Sequence, residues 1–145
     1  MEEAFLEARL AFAAGEVPVG AVMVHQGKII GRGHNLREST QDPLAHAEII
    51  AIREASRYLH TWRFAEVTAY VTLEPCLMCA GAFVQARISR LVYGAEDPKA
   101  GAIRSLYQVA GDPRLNHQIS VTSGVLEEPC SEILKEFFRS RRRDG

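Results

Sequence analysis

Val67-Thr68-Ala69-Tyr70-Val71-Thr72-Leu73-Glu74-Pro75-Cys76-Leu77-Met78-Cys79 is the stretch on which the fold turns. Val67, Ala69, Val71 and Leu73 alternate with Thr68, Tyr70 and Thr72, the period-two pattern of a strand with one face against a core. That strand runs straight into Pro75, a good first residue for a helix. With Pro75 opening the helix, Cys76 and Cys79 stand three apart and project from the same face of its first turn. The unpaired N–H groups at a helix N-terminus lower thiol pKa values, and two thiolates so placed have metal-ligand geometry. A helix over 76–87 and an apolar strand over 90–93 follow, and strand–helix–strand is the order of a parallel crossover.

Upstream lies Ala45-His46-Ala47-Glu48. Asp42-Pro43 reads as an N-cap and first helical residue. Ala45, Ile49, Ile52, Ser56 and Leu59 then step by four and three, the stripe of a helix laid on a core. His46 and Glu48 fall in its opening turns, where side chains converge. Two thiolates and the His46 imidazole make three ligands for Zn²⁺, one short of a closed structural site; three protein ligands plus water is the catalytic pattern. Glu48, beside that water but off the metal, is placed to move protons. Pro-Cys-x-x-Cys alone also fits a structural zinc half-site or a redox pair. A structural tetrahedron needs a fourth ligand, and the one other cysteine, Cys130, reads as a small buried residue at the start of the last helix.

The flanks complete an α/β pattern. Residues 1–14 are rich in Ala, Leu and Glu and read as a helix stopped by Gly15. Apolar runs at 19–24 and 29–30 flank His25-Gln26-Gly27-Lys28, a hairpin signal. Gly31, Gly33 and Asn35 loosen the chain into a loop, and His60 and Trp62 cap the core from a polar connection. A loop over 94–105 ends in a short helical segment, 106–110; residues 119–122 supply the last strand. Residues 129–143 form a closing helix with Ile133, Leu134, Phe137 and Phe138 inward. A hairpin leading into parallel units, with helices on both faces, predicts a three-layer α/β/α sandwich with a mixed sheet.

The chain has 145 residues, 47% hydrophobic and 24% charged, which fits one domain with a substantial core. It carries no apolar run long enough for a membrane span and no basic-then-apolar leader, and a free Cys-x-x-Cys suits a reducing compartment. The reading is cytoplasmic. Net charge is −1, so the whole chain does not announce a nucleic-acid partner, yet Lys135, Arg139, Arg141, Arg142 and Arg143 gather near the C-terminus against Glu136.

His-x-Glu followed by Pro-Cys-x-x-Cys resembles the signature of zinc-dependent nucleobase deaminases. The wider set is more specific: Gly15-Glu16-Val17-Pro18-Val19-Gly20-Ala21-Val22, His34-Asn35, Asp42 to Glu48, Tyr70 to Ala82, Asn116-His117 and Phe137-Phe138-Arg139. Over nearly the whole chain it is similar to the bacterial tRNA adenosine deaminases. That resemblance implies a five-stranded cytidine deaminase-like sandwich, one Zn²⁺ per subunit, a homodimer, and hydrolysis of adenosine to inosine at the wobble position of a tRNA anticodon stem-loop. It implies that Asn35 contacts the target nucleoside, that Asp97 and Lys99 lie in a loop touching nucleic acid, that Asn116 and His117 sit near the flipped base, and that Arg139, Arg141 and Arg142 belong to an RNA-binding tail. Arg104, Gln118 and Leu44 depart from the family's usual glycine, arginine and threonine. Two rivals stand beside this reading: a deaminase of free guanine or cytidine, and a non-catalytic zinc-bearing subunit of an RNA-modifying complex, against which Glu48 argues.

Overall fold

The hairpin sets the sheet. Gln26 (φ 51°) and Gly27 (φ 75°) both take left-handed backbone, the two-residue turn whose twist matches antiparallel strands. They join β1 (Gly20–His25) to β2 (Lys28–His34). The computed structural model describes residues 1–144. Around the hairpin are α1 (Glu2–Ala13), α2 (Arg37–Thr40), α3 (Ala47–Leu59), β3 (Val67–Leu73), α4 (Leu77–Ala86), β4 (Arg90–Ala95), β5 (Ser120–Thr122) and α5 (Glu127–Asp144). The five strands lie in the order β2-β1-β3-β4-β5. β1 is antiparallel to β2 and β3, whereas β3, β4 and β5 run parallel. This is the mixed five-stranded sheet that the sequence predicts.

Helices cover both faces. α3 lies on β2 and β1 beside α4; α1 and α5 take the other face, where Phe12 meets Phe137 edge to face at 5.9 Å. Between the layers Met23, Phe64, Phe83, Ile88, Leu91 and Tyr93 are sealed from solvent, each such apolar side chain contributing about 1.5–3 kcal/mol. Glu7, buried on α1, accepts from Arg32 Nε at 2.8 Å and pairs with His34 Nδ1 at 2.9 Å, fastening α1 across β2.

Local reasons shift several expected boundaries. α3 begins at Ala47 with His46 as its N-cap, not at Pro43. Asp42 instead closes a turn: Leu44 N–H donates to its Oδ1 at 2.9 Å and Ala45 N–H to its carbonyl at 3.2 Å. α4 begins at Leu77 with Cys76 as N-cap, because Pro75 is held in an extended approach, its carbonyl accepting Ala102 N–H at 2.8 Å. The buried stripe of α3 is Ala47, Ala51 and Ala55, with Ile52 and Leu59 partly buried beside it. A Cβ on Gly31 or Gly33 of β2 would run into α3 backbone, so the helix sits too close for larger side chains. β4 extends through Gly94, whose missing Cβ admits Cys130 of α5. The segment expected as helix over 106–110 is a 3-10 turn at Val109–Gly111. Phe138 is 45% exposed rather than inward, and Trp62, 56% exposed, lies outside with Arg63 over its ring.

Candidate active site

Two helix starts build the site. His46 is the N-cap of α3 and Cys76 the N-cap of α4, both extended (ψ 153° and 176°), and Cys79 follows in the first turn of α4. His46 Nδ1 lies 3.6 Å from Cys76 Sγ and 3.5 Å from Cys79 Sγ. The three donor atoms all lie within 4.8 Å of one another, a set able to hold one metal ion. Three donors from the starts of two helices thus converge at one point.

Charge at this cluster is strongly coupled. The Cys79 thiol donates to Cys76 and the His46 imidazole lies beside it, which together hold Cys76 near about 4 against the opposing effect of burial. The same pairing and burial push Cys79 up. The pair therefore yields a first proton readily and retains the second until a cation replaces it. His46 is raised by its contact with Cys76. Glu48, second residue of α3 and 4% exposed, is pushed up to about 7, mainly because burial disfavours its charged form. A carboxyl poised near neutrality both accepts and returns protons.

These groups end a pocket of about 200 Å³ lined by Val17, Val19, Asn35, Arg37, Leu73, Glu74, Asp97 and Ala100 as well as His46, Glu48 and Cys76. Asn35 is buried, its Oδ1 accepting Arg37 N–H at 3.3 Å, so its NH₂ is the part left for a ligand. Asp97 Oδ1 accepts Lys99 and Ala100 N–H groups at 3.1 and 3.2 Å, shaping the opposite lip. Lys99 is exposed and lines a surface groove with Phe138, Arg141 and Arg142. Arg139 and Arg142 line a second groove with Glu96 and Phe138. Arg141 is partly engaged, donating to Gly15 O and lying 4.9 Å over the Phe137 ring.

Asn116 and His117 are not brought to the pocket of their own chain. His117 Nε2 lies 2.6 Å from Ile88 O, just before β4 begins, at the end of the sheet opposite Glu74 and Asp97. Gln118 closes its own loop, donating to Asp112 O and Leu115 O at 2.8 and 2.9 Å. Arg104 is exposed while its N–H remains bound to Glu74 at 2.9 Å, so the cation in place of glycine leaves the loop intact.

Three contributors escaped the sequence reading. Arg37 supplies the pocket's cation, signalled only by its place two residues after Asn35. Glu16, 1% exposed, accepts Ser39 N–H and Oγ–H at 2.6 Å each and Glu38 N–H at 3.2 Å, holding α2 behind Asn35. Glu74, 2% exposed, gathers the loop after β4; burial alone would raise its pKa, but N–H groups of Arg104, Asp97 and Ser105 and the Ser105 hydroxyl hold it to about 2. Both lips of the pocket are thus tied to buried carboxylates.

Residues 1–142 match the family model of the MafB19-like deaminases. A tRNA-specific adenosine deaminase of Bacillus subtilis (strain 168) is 52% identical over 143 residues, 99% of this chain and 89% of that protein. One of Streptococcus pyogenes serotype M1 is 46% identical over 98% of this chain and 83% of its own length. A solved structure from a study of A-to-I editing by tRNA:A34 deaminases at the wobble position of transfer RNA superposes with a TM-score of 0.89 at 47% identity, covering 92% of this chain and 97% of that one. The chain belongs to the MafB19-like deaminase family and, within it, to the group of the tRNA-specific adenosine deaminases.

Proposed function

We propose that the protein hydrolyses adenosine to inosine at the wobble position of a tRNA anticodon stem-loop, as one domain, with one zinc ion per subunit of a homodimer in the cytoplasm. The observation that carries this is the buried Glu48 beside the His46, Cys76 and Cys79 donors, with Glu48, His46 and Cys76 lining one small pocket. Zinc fits the donor set. Zn–S near 2.3 Å and Zn–N near 2.05 Å at a tetrahedral angle separate sulfur from nitrogen by about 3.6 Å, against 3.6 and 3.5 Å here. When bound, zinc supplies Lewis acidity that lowers the pKa of water to about 7.

The residues of the chain do the rest. Glu48 takes a proton from the attacking water and passes it to the adenine ring nitrogen N1 as the water oxygen bonds C6; it then takes the second proton from that oxygen and delivers it to the amine as the C6–N bond breaks, so that adenine and water become hypoxanthine and ammonia. Asn35 and Asp97, both in the pocket lining, orient the nucleoside; Val17, Val19 and Leu73 give the base apolar walls. The volume is below the roughly 300–1,000 Å³ of sites for drug-sized ligands and suits one extruded base. Lys99, Arg139 and Arg142 lie outside it, where phosphates of the same RNA would pass. Among the described residues no helix is long and apolar enough to cross a membrane.

The reading is tested by incubating the zinc-loaded protein separately with an anticodon stem-loop, free guanine and cytidine. Inosine in the stem-loop is the expected product. Xanthine or uridine with an unchanged stem-loop would transfer the activity to a free base or nucleoside.

A further inference from the structure

The loop over 97–105 forms one lip of the pocket; Asp97 turns its first half, accepting Lys99, Ala100 and Gly101 N–H groups, and its second half is held from outside the loop. Its side-chain anchorage is the Glu74 carboxylate. Glu74 Oε2 accepts N–H groups of Ile103, Arg104 and Ser105 at 3.1, 2.9 and 3.0 Å, and Oε1 accepts Asp97 N–H at 3.0 Å and the Ser105 hydroxyl at 2.5 Å. Gly101 has no side chain where a Cβ would meet that carboxylate. The same loop is bridged by backbone to Cys76 through Gly101 and to Pro75 through Ala102 N–H at 2.8 Å. Glu74 stands two residues before Cys76 in the chain, at the end of β3. One side chain therefore registers the substrate lip, with Asp97 and Ala100, against the segment that carries the metal donors.

We propose that Glu74 is a positioning residue that sets the substrate lip of the pocket relative to the Cys76 end of α4, acting through the loop and not on the reacting atoms. Only an acid of this length serves. Every partner is a donor, so both oxygens must accept; an amide offers one accepting oxygen and turns an NH₂ toward other N–H groups. This inference deepens the deaminase reading and rests on it for its kinetic arm.

The test compares wild type, Glu74→Gln, Ser105→Ala and the double variant by stem-loop kinetics, zinc content and hydrogen exchange of the loop amides. Losing hydrogen bonds to a charged acceptor, the stronger class of such bonds, opens the loop locally. In Glu74→Gln the amides of Asp97, Ile103, Arg104 and Ser105 should exchange at least about tenfold faster. KM for the stem-loop should rise about tenfold while kcat stays within about threefold and one zinc per chain is kept. Ser105→Ala, which loses one partner, should show the same split at smaller size, and its effect should shrink in the Glu74→Gln background because the two share one interaction. Unchanged exchange, or a loosened loop with unchanged KM, overturns the proposal; so does loss of zinc or a fall confined to kcat. If Glu74→Gln does not fold, Ser105→Ala decides by the same criteria. A wild-type protein inactive on the stem-loop would sink the functional reading, and exchange would still decide whether Glu74 holds the loop.

Discussion

In the proposed reaction Glu48 is the proton carrier, a role that rests on its burial and its neighbours rather than on hydrogen-bond count. Its carboxyl is pushed up to about 7 because burial disfavours the charged form and outweighs the opposing pull of the backbone N–H it meets at the start of α3. Glu48→Ala should lower turnover by about 10²–10⁴-fold, the usual range for a lost general acid/base, while zinc stays bound in metal analysis. His46→Ala should do the reverse to the metal, since it removes one of three donors. Were Glu48→Ala to lose zinc and His46→Ala to keep it, ligand and proton shuttle would have been exchanged. That His46 and the two cysteines would lie together was legible in the sequence, because their types and order constrain the chemistry directly. Glu16, Glu74 and Arg37 were not: the acids are satisfied by N–H groups some 22 to 31 positions away, and no local pattern announces such partners.

At the level of elements, the hairpin, the parallel crossover and the closing helix could be read from turn chemistry and periodicity, which are local. Helix starts could not. Asp42-Pro43 and Pro75 have the propensities of helix openings, but local bonds from Leu44 and Ala45 close a turn at Asp42 in place of a helix start, and a tertiary bond from Ala102 holds Pro75 in an extended approach. The alanine face of α3 was invisible for a related reason: its significance lies in the glycines of β2 that it meets. A pH experiment belongs at this scale. Burial tends to raise Glu16, but its bonds from Ser39 and Glu38 outweigh that and leave it below the ordinary carboxylate value. A depressed folded-state pKa gives stability that is present above the unfolded-state value, near 4.5, and is lost as pH falls through the folded value. Glu16→Gln should thus cost about 1–3 kcal/mol at pH 7, and the difference from wild type should narrow below about pH 4.5 in denaturant titrations. A constant difference down to pH 3 would show that Glu16 does not hold α2 as a carboxylate.

The whole molecule is nearly neutral, and its fold sorts the charge. α5 and the loop after β4 bring Lys99, Arg139 and Arg142 to neighbouring grooves around Phe138. Replacing Arg139, Arg142 and Arg143 with alanine, and sparing Arg141 because it ties α5 to Gly15, should weaken stem-loop binding with little dependence on sequence. The slope of log K against log salt should flatten by about 0.7 for each phosphate contact removed. Turnover at saturating substrate should hold, since none of the three lines the pocket. An unchanged slope would assign the tail to solvent and return the RNA surface to Lys99 and Arg104. The most direct test of the central claim is mass mapping of an anticodon stem-loop after incubation with the zinc-loaded protein: one adenosine, at the wobble position, should become inosine, and a zinc-free sample should leave it unchanged. An untouched wobble adenosine from zinc-loaded protein, or equal conversion without zinc, would contradict the account.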